Sequence, residues 1–168
     1  ALRGFEALRA SGTRARLLLV GRPGDAAGPF RDALRRSSAR DDVRWIETPD
    51  EARMPACVAG ATALLHLAND EATPVTPLEA MRHGLPVVAS PLPAFREALG
   101  DDGSWGDADD AAAVGAALGE ALEAGEDASR REAVAARARP YTWRACAEAH
   151  VRAWDPILRG VEQGRTQR

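Results

Sequence analysis

Lysine does not occur in this 168-residue chain; apart from three histidines, every basic side chain is arginine. That argues against a receiver-like or other flavodoxin-like signalling domain, which needs an acidic cluster and a lysine at its strand ends. Cysteine is nearly as scarce. Cys57 and Cys146 lie far apart and lack the close Cys or His spacing of a zinc site, so they are expected as free thiols in a reducing cytoplasm. No apolar run approaches the roughly 20 residues needed to cross a bilayer, and no charged-then-apolar leader opens the chain. A transmembrane segment is thus excluded and a cytoplasmic protein expected. No basic block is present either. The net charge of -3 comes from interspersed acidic and basic residues, which argues against a nucleic-acid or anionic-membrane partner. Paired aspartates at 41–42, 101–102 and 109–110 sit in turn or cap contexts, so no metal site is expected from them.

What is present is an alternation of strand and helix patterns. Residues 17–20, LLLV, form a continuous apolar run bounded by charge before and by Gly21, Pro23 and Gly24 after, as expected of a strand buried on both faces. A helix is predicted over 30–39, a strand over 43–46, and a helix over 51–58 capped by Asp50. The buried-strand pattern returns at 63–67 and 85–89. Alternation with short connections predicts an α/β fold, a doubly wound parallel sheet of Rossmann-like type with ligands outside the carboxyl ends of the strands. Helices follow at 109–124 and 129–139, the second ended by Pro140, and a last one at 141–159. Its stripe of Trp143, Ala147, Val151, Trp154 and Leu158 suits either core packing, the favoured reading, or a seam against a separate partner domain. At this length and 45% hydrophobic content one core is expected, giving a single domain over 1–160 and a frayed tail over 161–168. The opening pattern Leu2, Phe5, Leu8 reads as the middle of a larger unit that lacks its first strand here.

The passage 63–89, ATALLHLANDEATPVTPLEAMRHGLPVVA, takes a buried strand through a polar loop into a short helix. Thr76, Pro77, Leu78 and Glu79 have the spacing of a capping box with Pro77 at the first helical position. Gly84 is the expected left-handed C-terminal residue, followed by Pro86. A helix opening just outside a parallel strand turns free N–H groups and the positive end of its dipole toward the crevice, which suits a phosphate. Glu71 in the loop and Glu79 in the first turn can face that crevice together. The plainer readings are that Glu79 only completes the cap and that Glu71 is a solvated charge. His66 and His83 are read as structural, the first a strand residue beside the site and the second at the helix C-terminus.

The segment EATPVTPLE, 71–79, continued by EAMRHGLPVVAS and PLPAFREALGDDG and preceded by LLLVG at 17–21, resembles the C-terminal domain of the family 4, or group 1, retaining glycosyltransferases of the GT-B fold. YTW at 141–143 resembles the aromatic-x-tryptophan that opens that family's last helices. The resemblance implies a hexosyltransferase whose donor substrate is a nucleotide-diphosphate sugar and which requires no cofactor and no metal. Glu71 would contact the donor sugar as the catalytic residue, whether as nucleophile or by positioning. Glu79 would hold the ribose hydroxyls, and the N–H groups of Ala72, Thr73, Val75 and Thr76 would cradle the diphosphate. Gly21 and Arg22 are further candidates at the end of the first strand.

Departures from the family pattern fall in the loop. Ala72, Thr73 and Pro74 stand where the family has glycine, an aromatic and glycine, and Pro74 has no N–H to donate. The basic pair that neutralises the diphosphate and the N-terminal acceptor domain are both expected outside these residues. The chain alone is therefore expected to be inactive in transfer. The alternative is a non-catalytic module that binds a nucleotide sugar or phosphate.

Overall fold

A computed structural model describes residues 1–166 apart from 23, 26, 51 and 52, with side chains described as far as Arg159 except that of 102. Among the described residues, five short strands run parallel to their neighbours. β1 (Leu17–Val20) pairs with β2 (Val43–Ile46), with Leu17 opposite Val43 and Val20 opposite Ile46. β4 (Val87–Ala89) lies between β3 (Leu64–His66) and β5 (Gly103–Trp105). The parallel α/β class is as expected, and β1 and β2 have the predicted bounds.

Side-chain alternation along β4 sorts the core into two layers, the mark of a sheet covered on both faces. Val87 and Ala89 join a cluster with Met81, Phe95, Leu99, Val134 and Ala138. These come from α4 (Val75–Arg82), α5 (Pro93–Leu99) and α7 (Ala128–Ala138). Val88 turns the other way, toward Phe5 and Leu8 of α1 (Leu2–Ala10) and Val114, Leu118 and Ala121 of α6 (Ala111–Glu126). Leu17 of β1, Val43 of β2 and Leu65 of β3 pack against this second cluster, so it runs beneath both groups of strands.

The strands do not form one continuous sheet. β1 and β2 make a pair, β3, β4 and β5 make a trio, and among the described residues no ladder joins β1 to β3. Each group therefore keeps an unpaired edge, and Leu18 on β1 is 41% exposed. Behind Leu18 and Ile46, Arg53, Ala56 and Cys57 of α3 (Arg53–Ala59) line a shallow groove with Gly60.

Local chemistry explains most shifted boundaries. The strand expected over 85–89 starts only at Val87, because Leu85 N–H is taken by Ala80 O at 3.1 Å in the helix C-cap and Pro86 has no N–H. The helix expected over 30–39 is α2 (Ala27–Arg36), which ends where Ser37 turns the chain. Ser37 is buried, donates to Glu6 Oε1 at 2.6 Å and accepts from Ala39 N–H at 3.1 Å. Trp45 of β2 holds α2 through an edge-on contact with Phe30, centroids 5.3 Å apart, and donates its indole N–H to Gly21 O at 3.0 Å. Asp50 accepts from Arg53 N–H at 2.8 Å, while the expected helix start at Glu51 lies outside the described residues. Asp110 and Asp127 cap α6 and α7 through the N–H groups two and three positions on.

The last helix, α8 (Trp143–Thr166), corrects two expectations. It continues past the expected end at Arg159. Its stripe is also not core: Trp143 is 82% exposed, Val151, Trp154 and Leu158 are exposed with it, and neither core cluster includes a residue of α8. The helices α1 and α6 on one side and α4, α5 and α7 on the other already cover β4, which leaves no face for α8 to bury.

Candidate functional site

The site is built where β3 ends. The loop from Leu67 onward is tied to the next strand by Ser90, a buried hydroxyl just past β4 whose Oγ accepts the Ala68 N–H at 3.0 Å. Sequence reasoning passed over Ser90; the one available signal was a lone polar residue closing the run VVAS. His66, the last residue of β3, sets its ring edge-on to buried Phe95 with centroids 5.6 Å apart and planes at 74°. Its Nε2 lies 3.7 Å from Glu71 Oε2. The other oxygen of Glu71 accepts the Thr73 N–H at 3.1 Å, closing a tight local turn.

α4 begins at Val75, two residues earlier than the capping-box reading required. Its N-cap is Pro74, no side chain caps it, and Pro77 is its third residue, a position where a missing N–H is still harmless. The expected Thr76 and Glu79 cap is therefore not formed. Pro74 supplies the reason: the Val75 N–H turns back to Thr73 O at 2.8 Å, and Pro74 O accepts from Leu78 N–H at 3.0 Å, so the helix opens before Thr76. Glu79 is thereby released. It is exposed, and among the described residues it makes no hydrogen bond or ion pair. The structural role that would have accounted for it is gone.

The C-terminal end matches expectation. Gly84 adopts φ +72°, Gly84 N–H donates to Met81 O at 2.8 Å and Leu85 N–H to Ala80 O at 3.1 Å, a Schellman closure. Of the four N–H groups expected to cradle an anion, two are engaged internally, those of Thr73 and Val75. Those of Ala72 and Thr76 have no protein partner among the described residues. Gly21 (φ +138°) and Arg22 sit at the carboxyl end of β1; the Gly21 N–H donates to Ile46 O at 3.0 Å, and Arg22 is exposed. No hydrogen bond or ion pair joins them to the Glu71 loop among the described residues. His83 is exposed just past α4, as expected of a helix-end residue.

Among the described residues no cluster of three or more His, Cys, Asp or Glu side chains is arranged to hold a metal ion. No described helix is long and apolar enough to cross a membrane. No curated protein matches the sequence significantly. A protein-family comparison does match, over residues 1–124, to the family described as glycosyl transferases group 1. That span contains both strand groups, the Glu71 loop and α4, and stops near the end of α6. With the family matched over most of the chain and its parallel α/β architecture in place, this chain belongs to the group 1 glycosyltransferases.

Proposed function

We propose that this domain is the donor-binding half of a retaining glycosyltransferase that moves a hexose from a nucleotide-diphosphate sugar to an acceptor hydroxyl. The observation that carries the reading is a Glu71 held in the loop before α4 together with a Glu79 in the fifth position of α4 that makes no hydrogen bond or ion pair among the described residues. A carboxylate without a protein partner is free to accept hydrogen bonds from the two ribose hydroxyls. The unengaged Ala72 and Thr76 N–H groups, with the positive end of the α4 dipole, offer the diphosphate its donors. Arg22 supplies a further positive charge if the two strand groups close together on the ligand. As the glycosidic bond breaks, these groups stabilise the leaving diphosphate, which is the work a divalent metal performs in other transferases. The acceptor hydroxyl then attacks from the face the diphosphate leaves, its proton passing to the departing phosphate oxygen as the new bond forms, and Glu71 contacts the sugar beside the reacting carbon.

The acceptor would be held by a second domain. Two features support such a partner: the exposed apolar stripe of α8, and the unpaired edges of β1 and β3, which suit one further parallel strand leading into α1 by a right-handed crossover. The second reading, a module that binds the nucleotide sugar without transfer, draws on Pro74 and on the two loop N–H groups already engaged, which leave the cradle with fewer donors.

Calorimetry and turnover measurements on the full-length enzyme with a panel of nucleotide sugars test the proposal. Glu79→Ala is expected to weaken donor binding about tenfold or more, and Glu71→Ala to lower turnover with a smaller change in binding. Wild-type behaviour in both variants eliminates the donor-site reading. Intact donor binding without any transfer selects the non-catalytic module.

A further inference from the structure

β3 and β4 run in parallel register, Leu64 opposite Val87 and His66 opposite Ala89, and the Leu64 N–H donates to Pro86 O at 2.9 Å. In a parallel ladder such bonds recur at every second residue, so the same pattern carried forward would bring the Ala68 N–H to the main-chain carbonyl of Ser90. That carbonyl is already taken. Ser90 O accepts the Leu92 N–H at 2.7 Å, which turns the chain out of β4 and into α5, whose N-cap is Leu92. The Ala68 N–H is received instead by the Ser90 hydroxyl, with Oγ at 3.0 Å, on a residue only 4% exposed. One buried serine thus stands at the fork where the two strands part. Its carbonyl leads into α5, and its side chain extends the ladder by one more bond toward the Glu71 loop.

Beyond that bond the chain has few ties to the sheet. Among the described residues the N–H groups of Asn69, Asp70, Glu71 and Ala72 have no protein acceptor, and Asn69 and Asp70 are exposed. The Thr73 N–H on Glu71 Oε1, at 3.1 Å, ties the carboxylate only to its own loop. The approach of His66 Nε2 to Oε2, at 3.7 Å, is longer than a hydrogen bond. The Ala68 methyl packs against the cluster formed by α4, α5 and α7, a contact that places the residue without orienting its peptide. The loop is therefore oriented on the sheet at one end by the bond from Ala68 to Ser90, and at the other by buried Pro74 and α4. Glu71 is three residues, about 10 Å of extended chain, from the first of these anchors.

We infer that Ser90 is a positioning residue for Glu71: its hydroxyl fixes the base of the loop from which the carboxylate reaches the donor sugar. The inference rests on the donor-site reading above. Without the hydroxyl the Ala68 N–H loses its acceptor, while β3 and β4 stay laddered as far as His66 and Ala89. The peptide at 68 can then turn, and Glu71 leaves the place it must hold beside the reacting carbon, where a small displacement is costly in rate. Glu79 and the mouth of α4, beyond Pro74, keep their hold on the nucleotide.

The first arm of the test needs no donor. Amide hydrogen exchange in the full-length enzyme is expected to run about tenfold faster at Ala68 in Ser90→Ala than in wild type, with the Val88 amide in the middle of β4 unchanged within about twofold. The second arm is kinetic. Ser90→Ala is expected to lower kcat about five- to thirtyfold and to move the donor Kd by less than about threefold. Ser90→Thr, which keeps an acceptor oxygen, should recover both the Ala68 protection and kcat. An Ala68 amide as protected in Ser90→Ala as in wild type overturns the inference. Equal acceleration at Ala68 and Val88 does so too, since the serine would then hold the whole sheet and not the loop. An unchanged kcat beside faster Ala68 exchange has the same force, as does a kcat that stays low in Ser90→Thr once Ala68 is protected again. The two readings fail separately: a Glu71→Ala protein that binds and turns over donor normally removes the donor-site reading, whereas Ala68 exchange reads the hold of Ser90 on the loop without it.

Discussion

The trio of strands and the pair of strands are held very differently, although both are short, parallel and apolar. β4 has a neighbour on each side and helices on each face, and Val88 and Ala89 are fully buried. β1 has one neighbour, one covered face and one unpaired edge, with Leu18 open to solvent. The same residue types thus reach very different burial because of what surrounds them, not because of their propensity. The consequence for the site is direct. Glu71, Glu79 and α4 stand beside the trio, whereas Gly21 and Arg22 stand on the pair. In the proposed enzyme the first group would be organised before donor arrives, and the second would depend on the strand and domain that complete the sheet.

The comparison is broken most forcefully by truncating one apolar side chain in each half. Phe95→Ala removes a fully buried ring that joins α5 to the underside of the trio and backs His66, and should cost about 3–5 kcal/mol. Leu18→Ala, on the open face of β1, should cost less than about 1 kcal/mol. Urea unfolding of the two variants against the wild type reads both values, and equal losses would show that the two halves are equally consolidated in solution.

Gly84→Ala sharpens the same comparison at the far end of α4. The residue sits at φ +72°, and a Cβ there would lie 2.9 Å from the carbonyl oxygen of Arg131 on α7. Strain and crowding together should lower stability by about 1–3 kcal/mol. Because α4 carries Glu79, donor affinity should fall with stability in this variant. A destabilised Gly84→Ala protein with unchanged donor affinity would show that the helix mouth is fixed by the loop, independently of the helix's far end.

How much of this was legible in the sequence depended on whether the information was local. β1 and β2 could be bounded to the residue because charge, glycine and proline flank them. The Schellman closure at Gly84 followed from glycine and proline two positions apart. The opening of α4 did not, since the Thr76 and Glu79 spacing competes with Pro74, whose position sends the Val75 N–H back to Thr73 and starts the helix early. The unpaired edges of β1 and β3 were legible only in part: the expectation of a missing first strand did not say which strands would stand unpaired, because pairing is a property of the whole sheet. His66 was placed beside the site by its position, but its nearness to Glu71 depends on how the loop folds back, which no spacing rule specifies. The family resemblance singled out Glu71 and Glu79 together, while the local capping argument gave Glu79 a structural role that the early opening of α4 removes.

The smallest expected effect tests the region that belongs to neither half. Trp154 on α8 is larger than Phe95, yet it is 56% exposed and joins neither core cluster among the described residues; its ring lies edge-on to His150 of its own helix, with ring centroids 5.6 Å apart. Burial, not size, sets the cost of truncation, so Trp154→Ala in the isolated domain should change stability by no more than about 0.5 kcal/mol. If the stripe is the seam to an acceptor domain, the same substitution in the full-length protein should be several-fold more damaging, because there the indole would be buried against the partner. Unfolding curves of the isolated domain and of the full-length protein, each with and without the substitution, measure the difference. A loss of several kcal/mol in the isolated domain would place Trp154 in that domain's own core. An equally small change in both proteins would leave α8 without a part in joining the two domains.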